Sequence, residues 1–152
     1  MLVEPEALAW IEVCVSRQDA VWEPDVGRAF WWMGDAWVHA LIALGAQGVD
    51  AHRGAPVTTE WSSKVCFAGV GPGEVTIRGR KVVGMAQRRT RAGALFQCAA
   101  LVRWDARRLL EVLALTDAER DEAEVTLGES AAGLGPAVGV GDIEQSLVSH
   151  LP

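Results

Sequence analysis

Apolar residues recur along the chain with two different periods, which predicts a mixture of strands and helices. The short, largely apolar run from Leu8 to Val15 predicts a strand. A turn over residues 22–25 follows, and Asp25 is the predicted N-cap of a helix. Between residues 26 and 44 apolar side chains recur at spacings of three and four, which predicts an amphipathic helix packed on a sheet. This apolar stripe consists of Val26, Phe30, Met33, Trp37, Leu41 and Leu44.

A hairpin is predicted in the middle of the chain. The segment Gly71-Pro72-Gly73 breaks the backbone, and residues 74–77 then alternate as a short strand. Arg78-Gly79 supplies a turn, and residues 80–87 return as the second strand. Further along, the apolar run from Ala94 to Trp104 predicts a long strand that is central to the sheet.

The last third of the chain predicts helices. Asp105 is the predicted N-cap of a helix that continues to Leu113. Thr116 and Glu119 have the spacing of a capping box. Residues 128–141 are rich in glycine and alanine and predict a loop, which precedes a terminal helix. That helix is predicted to start at Asp142 and to bury Ile143, Leu147 and Leu151.

These elements predict one α+β domain over residues 1–152, in which a mixed or antiparallel sheet packs on helices. Residues 57–67 are expected to add one or two short strands. The net charge of −6 argues against a surface that binds nucleic acid. No stretch reaches the roughly 20 apolar residues needed to cross a bilayer. We therefore expect no membrane partner and a cytoplasmic location.

Lys81 lies near the start of the predicted return strand, between Gly79 and Gly84. Glycines on either side leave the backbone open to a ligand or permit a positive φ. A lysine in such a frame suits a phosphate, or a carbonyl oxygen that develops negative charge. The alternative is a solvated hairpin in which the lysine protects an edge strand.

A basic cluster surrounds Lys81 in the sequence and holds six of the 14 basic residues. We expect it to attract nucleotide phosphates or an acidic carrier domain. The alternative is a solvated arginine face at a sheet edge. The cluster consists of Arg78, Arg80, Lys81, Arg88, Arg89 and Arg91.

Three cysteines without zinc-ligand spacing indicate reduced thiols and no structural metal. Cys14 and Cys98 lie in apolar runs and are predicted to be buried. Cys66 comes just before the glycine-rich segment, where a lysine and exposed amides would activate it as a nucleophile. The alternative is that Cys66 has no covalent role. Tryptophans at helical spacing favour core packing over ligand stacking, namely Trp31, Trp32 and Trp37.

The run from Gly79 to Arg89, followed by Gln97, resembles the segment G-x-K-[IV]-x-G-x-A-Q-x-R … Q-H-G of lipoate–protein ligases and the related octanoyltransferases. Val65-Cys66-Phe67 stands where that family often carries a C-F pair, and residues 25–44 resemble its helix after the first strand pair. The resemblance implies the fold of a biotin/lipoate ligase catalytic domain. It also implies attachment of lipoate or octanoate to a lysine of a lipoyl carrier domain. ATP and Mg²⁺ are implied because the ligases first convert the acid to an acyl-adenylate.

By this resemblance, Lys81 contacts the acyl carbonyl and the phosphate. The other matching positions are implied to bind substrate or nucleotide, namely Gly79, Gly84, Ala86, Gln87 and Gln97. The family's Q-H-G is Gln97-Cys98-Ala99 in this chain, so we expect that wall of the pocket to differ.

A second departure concerns the family's R-R-x-x-G-G-G motif, which forms much of the acyl and nucleotide pocket. In the family this motif lies upstream of the strand that matches Leu8 to Val15. The present sequence begins Met1-Leu2-Val3-Glu4-Pro5 and shows no such motif there. We therefore expect the chain to be the C-terminal portion of such a domain. It would then be a truncated product, the result of a misplaced start, or one half of a split enzyme.

Three functional hypotheses remain open at this point. In the first, the chain ligates an acyl group through an adenylate, with Lys81 at the reaction centre and the glycine-rich motif supplied by an N-terminal segment or subunit. In the second, an octanoyl group passes from a carrier protein without ATP through a thioester on Cys66. In the third, the chain is a non-catalytic accessory subunit that docks a lipoyl domain or completes a partner's fold. The choice between lipoate and octanoate is also open.

Overall fold

The computed structural model describes residues 6–152, and it confirms the predicted α+β architecture. Residues 1–5, which include the chain start considered above, lie outside the described part. Within residues 6–152, five strands and four helices follow one another. They are β1 (Leu8–Ser16), α1 (Ala29–Ala43), β2 (Val49–Ala51), β3 (Val75–Ile77), β4 (Arg80–Arg89), β5 (Gly93–Leu101), α2 (Ala106–Glu111), α3 (Asp117–Ser130) and α4 (Val140–His150).

The five strands form one antiparallel sheet in the order β1-β5-β4-β3-β2. β5 lies between β1 and β4, which confirms the prediction of a central strand within residues 94–104. The hairpin is also confirmed, because β3 and β4 are joined by Arg78 and Gly79 with φ angles of 51° and 80°. Two successive positive φ angles match the tightest class of hairpin turn. β4 is an interior strand, so the hypothesis that Lys81 protects a sheet edge is wrong.

One face of the sheet carries α1 and α4, which together enclose the main core. Met33, Trp37 and Leu41 on α1 are fully buried, as the predicted stripe requires. Ile143 and Leu147 on α4 are buried in the same cluster, which confirms the inward face of the terminal helix. The apolar periodicity of both helices therefore corresponds to a real contact surface.

The start of α1 differs from the prediction. The helix begins at Ala29, because the Oδ1 atom of Asp25 accepts a hydrogen bond from the Arg28 amide at 2.8 Å and so caps the preceding turn. Val26 lies in that turn and is exposed. Asp25 is therefore a turn cap, and the prediction that it is the helix N-cap is wrong.

The later helices confirm their predicted caps but not all of their bounds. Asp105 caps α2, and Thr116 forms a capping box with Glu119 at the start of α3. The loop predicted over residues 128–141 is shorter at both ends, since α3 continues to Ser130 and α4 begins at Val140.

The second face of the sheet is only partly covered. Because side chains alternate along a strand, Ala99 and Leu101 of β5 face away from α1, and they pack against Phe67 and Ala131. A separate apolar cluster joins the loop before Phe67 to α2 and α3. The strands predicted within residues 57–67 reduce to one isolated bridge between Val57 and Val70. Where Phe67 and Ala131 do not reach, this face of the sheet is open.

Of the two cysteines predicted to be buried, the structure buries one and exposes the other. Cys98 is buried as predicted, and its burial raises the pKa of the thiol to about 11. Cys14 is exposed, because it points to the open face of the edge strand β1. The prediction of a buried thiol there is wrong.

The tryptophans of α1 pack in the core. Trp37 is fully buried, and Trp32 packs edge-on against Phe96 with ring centroids 5.3 Å apart, which confirms core packing for both. No helix within residues 6–152 is long and apolar enough to cross a membrane.

Candidate functional site

Lys81 owes its direction to an irregularity in the hairpin. Thr76 pairs with Lys81, but the preceding residue Val75 pairs with Val83, so Val82 is an extra residue in β4. Such a bulge re-aims the side chains around it. Val82 and Val83 are both buried in the main core, whereas Lys81 is directed to the second face of the sheet.

The Lys81 ammonium is held by three acceptor oxygens. Its Nζ atom lies 2.7 Å from Oε2 of Glu74, 2.8 Å from the carbonyl oxygen of Cys66 and 3.1 Å from that of Gly69. Nζ also lies 5.0 Å from the centre of the Phe67 ring. The side chain is 4% exposed. Every N–H of the ammonium therefore has an acceptor within the chain.

Glu74 is the residue of this site that the sequence pattern did not single out. Its Oε1 atom accepts a hydrogen bond from the Met85 amide at 2.9 Å, and its Oε2 atom accepts one from the Gly71 amide at 2.6 Å. Both carboxylate oxygens are thus occupied, and the side chain is 10% exposed. No local signal in the sequence indicates this contact, because the hairpin register places Thr76, not Glu74, opposite Lys81.

Gly84 makes room for Lys81 itself. A Cβ atom at this position would lie 3.1 Å from Cε of Lys81 and 3.2 Å from the Phe67 ring. The prediction that Gly84 leaves the backbone open to a ligand is therefore wrong, because the lysine side chain fills that space. Gly79 has φ of 80° and open space around it, so this glycine serves the turn.

Cys66 meets Lys81 through its backbone. The hydrogen bond to Lys81 uses the Cys66 carbonyl oxygen, and the Cys66 residue is exposed. Together with the bond to Gly69, this contact ties the loop before β3 to the interior strand β4. Lys81 therefore shapes the loop that carries the thiol.

Most of the remaining predicted positions lie on the same face as Lys81. Ala86 and Gln97 are cross-strand partners, and Gly84 is paired with Ala99. Gly84 and Ala99 are buried beside Lys81 and Phe67, whereas Ala86 is exposed on the same face. Gln97 lies beside Ala86, and its Nε2 atom donates to Oε1 of Glu12 at 2.7 Å.

Gln87 lies apart from this group. Strand alternation directs it to the face that packs on α1, opposite to Ala86. Its Oε1 atom accepts a hydrogen bond from Nε of Arg89 at 2.8 Å, and within residues 6–152 its buried Nε2 atom has no hydrogen-bond partner. Cys98, at the position of the family's histidine, faces the same buried side. The structure therefore does not bring Gln87 to the Lys81 site.

The basic cluster predicted from the sequence is divided in space. Arg78 and Arg80 lie at the hairpin turn, and Arg88 lies at the other end of β4, eight residues along, which is about 26 Å in a strand. Arg89 faces the other side of the sheet, where it donates to backbone oxygens of residues 23–24. Lys81 is neutralised by Glu74. The expected single anion-binding patch is therefore absent from the described residues.

The larger surface depressions lie away from Lys81. One is lined by Val102, Trp104 and the loop before α4, and another lies at the end of β1 and β5 near Cys14. Neither includes Lys81 or Glu74. The Lys81 site is a filled, ordered pocket rather than an open cavity, and its chemistry is that of a preorganised cation.

Comparison with known proteins gives a consistent result. The family model of the lipoyl protein ligase A/B catalytic domain matches residues 11–149. Lipoate-protein ligase A bound with ATP is 22% identical, with a TM-score of 0.61 over 93% of this chain and 49% of that chain. A bi-partite lipoate protein ligase from Thermoplasma acidophilum, studied with its E2 lipoyl domain, is 21% identical, with a TM-score of 0.62 over 93% of this chain and 48% of that chain.

A further T. acidophilum structure, described as a lipoate protein ligase with bound lipoic acid, is 19% identical and has a TM-score of 0.58. It is matched over 93% of this chain and 49% of its own. At these identities the likeness concerns the fold. The chain spans about half the length of each of these structures. No curated protein matches the sequence.

Proposed function

The chain belongs to the lipoyl protein ligase A/B catalytic domain family, and from this premise we propose that it attaches lipoate or octanoate to a lysine of a lipoyl carrier domain through an acyl-adenylate. The observation that carries the proposal is the buried Lys81 ammonium, on the face of the sheet where Ala86 and Trp10 are exposed. A fixed cation next to an apolar surface suits a ligand with a charged head and a hydrocarbon chain.

In this proposal the ligand head binds at Lys81. Nζ has no free N–H, so an acyl carbonyl or phosphate oxygen must replace one of its present acceptors. The Gly69 oxygen is the most distant of the three at 3.1 Å, and it belongs to a loop rather than to the sheet. Displacement of Gly69 would leave the Glu74 and Cys66 contacts in place. Lys81 would then stabilise negative charge on the ligand without reorganisation of its own side chain.

The acyl chain would lie over the exposed Ala86 and along Trp10, on the face of the sheet that carries Lys81. Residues without large side chains let a hydrocarbon approach the strands closely. Trp10 is the cross-strand partner of Ala99 on the edge strand β1, and it is 38% exposed. An acyl chain placed there would remove both the tryptophan and itself from water, at about 0.8 kcal/mol for each buried methylene.

ATP would bring Mg²⁺ to the site. Within residues 6–152 no group of three or more His, Cys, Asp or Glu side chains could hold a metal ion. The Glu74 carboxylate is already occupied by Lys81 and two backbone amides. The described residues therefore do not form a metal cage, and Mg²⁺ would enter bound to the ATP phosphates.

We further propose that the working enzyme contains more than this domain. The chain spans about half the length of the solved ligases, and one of them is bi-partite. A second segment or polypeptide that covers the open sheet face would complete the acyl and nucleotide pocket over Ala86 and Gln97. Residues 11–149 would then act as one catalytic half, in a cytoplasmic enzyme whose protein substrate is the lipoyl carrier domain.

The exposure of Cys66 favours a second candidate function, ATP-independent transfer of an octanoyl group through a thioester. An accessible thiol next to the loop that Lys81 orders could accept the acyl group. An accessory subunit without turnover is the third candidate, and the half-length match supports it.

Intact-mass spectrometry of an apo lipoyl domain tests these proposals. The chain is incubated with the domain, ATP, Mg²⁺ and octanoate, and in parallel with an octanoyl-carrier protein as donor. Acylation that requires ATP supports the ligase, and acylation from the carrier protein supports the transferase. Lys81→Met should abolish either reaction, and Lys64→Met is the matched control at the other lysine of the chain.

The same chain is titrated with octanoyl-AMP by calorimetry. Thermal unfolding first establishes that both variants are folded, because loss of the buried Lys81–Glu74 pair also lowers stability. Binding that folded Lys81→Met lacks and Lys64→Met keeps would support the site even if transfer needs the second half. Failure to bind octanoyl-AMP, together with no acylation from either donor, would contradict the ligase proposal.

A further inference from the structure

The proposed reaction poses a chemical problem for Lys81, and the inference drawn from it rests on the function proposed above. An acyl-adenylate is meant to react with a lysine amine of the carrier, yet Lys81 is itself a lysine beside the same acyl carbonyl. A neutral Lys81 amine would attack that carbon. The new C–N bond would form, the C–O bond to the phosphate would break, AMP would leave, and the amine proton would pass to water. The resulting amide would block the site permanently.

The hydrogen bonds around Lys81 require its protonated form. The Cys66 and Gly69 carbonyl oxygens can only accept. Glu74 is also restricted to accepting, because Oε1 already receives the Met85 amide and Oε2 receives both the Gly71 amide and Lys81. Three acceptors match the three N–H groups of an ammonium ion. A neutral amine would instead turn its lone pair towards an acceptor oxygen in a buried site.

We infer that Glu74 is a positioning residue that keeps Lys81 protonated and thereby protects it from acylation while an activated acyl group is bound. When a ligand oxygen replaces that of Gly69, Lys81 still faces three acceptors, namely the ligand, the Cys66 carbonyl and the Glu74 carboxylate. The ammonium has no lone pair to attack the acyl carbon. Lys81 then does not consume the acyl group, which remains available to the carrier lysine that enters from outside.

The experiment compares the acylation of two lysines in the same protein. The chain contains only Lys64 and Lys81, and Lys64 is exposed, so it reports the background reaction of an ordinary amine. Wild type, Glu74→Gln and Glu74→Asp are incubated with octanoyl-AMP and treated with hydroxylamine to remove any thioester from Cys66. Peptide mass spectrometry then gives the acylated fraction of each lysine.

We expect Lys81 of the wild type to remain unmodified while Lys64 is slowly acylated. In Glu74→Gln, the amide retains the size of the side chain but loses one acceptor. The ratio of acylated Lys81 to acylated Lys64 should then rise about tenfold or more. This factor corresponds to loss of roughly one hydrogen bond to a charged group. Glu74→Asp keeps the carboxylate and should restore the wild-type ratio. A purely structural role for Glu74 would change stability in both variants without selective acylation of Lys81.

Calorimetric binding of octanoyl-AMP to the three proteins distinguishes failure of the proposed function from failure of the proposed role of Glu74. If the wild type does not bind, the proposed function is contradicted and this inference falls with it. If all three bind but Lys81 of Glu74→Gln is no more acylated than in the wild type, the inference alone is overturned. Rapid acylation of Lys81 in the wild type would also overturn it.

A second measurement needs no variant and covers the case in which Glu74→Gln fails to fold. The wild type, labelled with ¹⁵N-lysine, is bound to octanoyl-sulfamoyl-adenosine, an analogue that cannot transfer its acyl group. The Lys81 signal should show three attached protons in slow exchange with water. A signal with two attached protons would overturn the inference.

Discussion

The Lys81–Glu74 pair removes two charges from water, which costs several kcal/mol for each ion before any attraction is counted. Its geometry offsets that cost, since both partners also bind backbone groups, Lys81 through two carbonyls and Glu74 through two amides. Lys81 could be singled out from the sequence because it stands between Gly79 and Gly84. Glu74 could not be singled out, because only the hairpin register and the bulge at Val82 bring its side chain to Lys81.

Removal of Lys81 should destabilise the domain strongly. Lys81→Met leaves the Glu74 charge buried without its counterion, so we expect a loss of about 3–5 kcal/mol in the free energy of unfolding. Lys64→Met, at the exposed lysine over the Trp61 ring, should change it by less than about 0.5 kcal/mol. Urea denaturation of both variants measures the difference. Equal stabilities would show that the pair contributes nothing to the fold.

The three thiols should differ in reactivity. Burial raises the pKa of Cys98 to about 11, so at pH 8 only about one thiol in a thousand is ionised there. Cys14 and Cys66 are exposed. Titration of the native protein with a thiol reagent should therefore modify two cysteines rapidly and the third only after addition of denaturant. Rapid modification of all three in the native state would contradict the burial of Cys98.

At the scale of elements, α1 positions the site without contributing a side chain to it. The helix packs so closely on the segment before β3 that a Cβ atom at Gly34 would lie 2.5 Å from the Gly73 carbonyl oxygen. Gly73 directly precedes Glu74, whose own carbonyl oxygen accepts the His52 amide at 2.9 Å. The periodicity of α1 was evident in the sequence, but the close approach at Gly34 depends on a segment almost 40 residues away.

Two glycine-to-alanine substitutions should have opposite effects. Gly34→Ala forces α1 away from Gly73 and should lower stability by about 1–3 kcal/mol. Gly128→Ala, in α3 with open space around it, should raise stability by about 0.5–1 kcal/mol because alanine loses less backbone entropy in a helix. Thermal unfolding of the two variants gives the signs directly. Stabilisation by Gly34→Ala would contradict the close packing of α1 on the site.

At the scale of the whole molecule, the two faces of the sheet are unequal. α1 and α4 cover most of one face, while the other carries Phe67 and Ala131 at one end and leaves Trp10 and Gln97 in contact with water. This asymmetry agrees with a chain that spans about half the length of the solved ligases.

The local features of this protein could be predicted from its sequence. Alternating apolar residues predicted strands, apolar spacings of three and four predicted helices, and Arg78-Gly79 predicted the hairpin turn. The motif around Lys81 indicated the family. Each of these features depends on residues that are close together in the chain. Which side chains share a face of the sheet depends instead on contacts between distant segments. The bulge at Val82 turns Lys81 towards Glu74 and directs Gln87 to the opposite side, since one extra residue in a strand reverses the alternation of every residue after it.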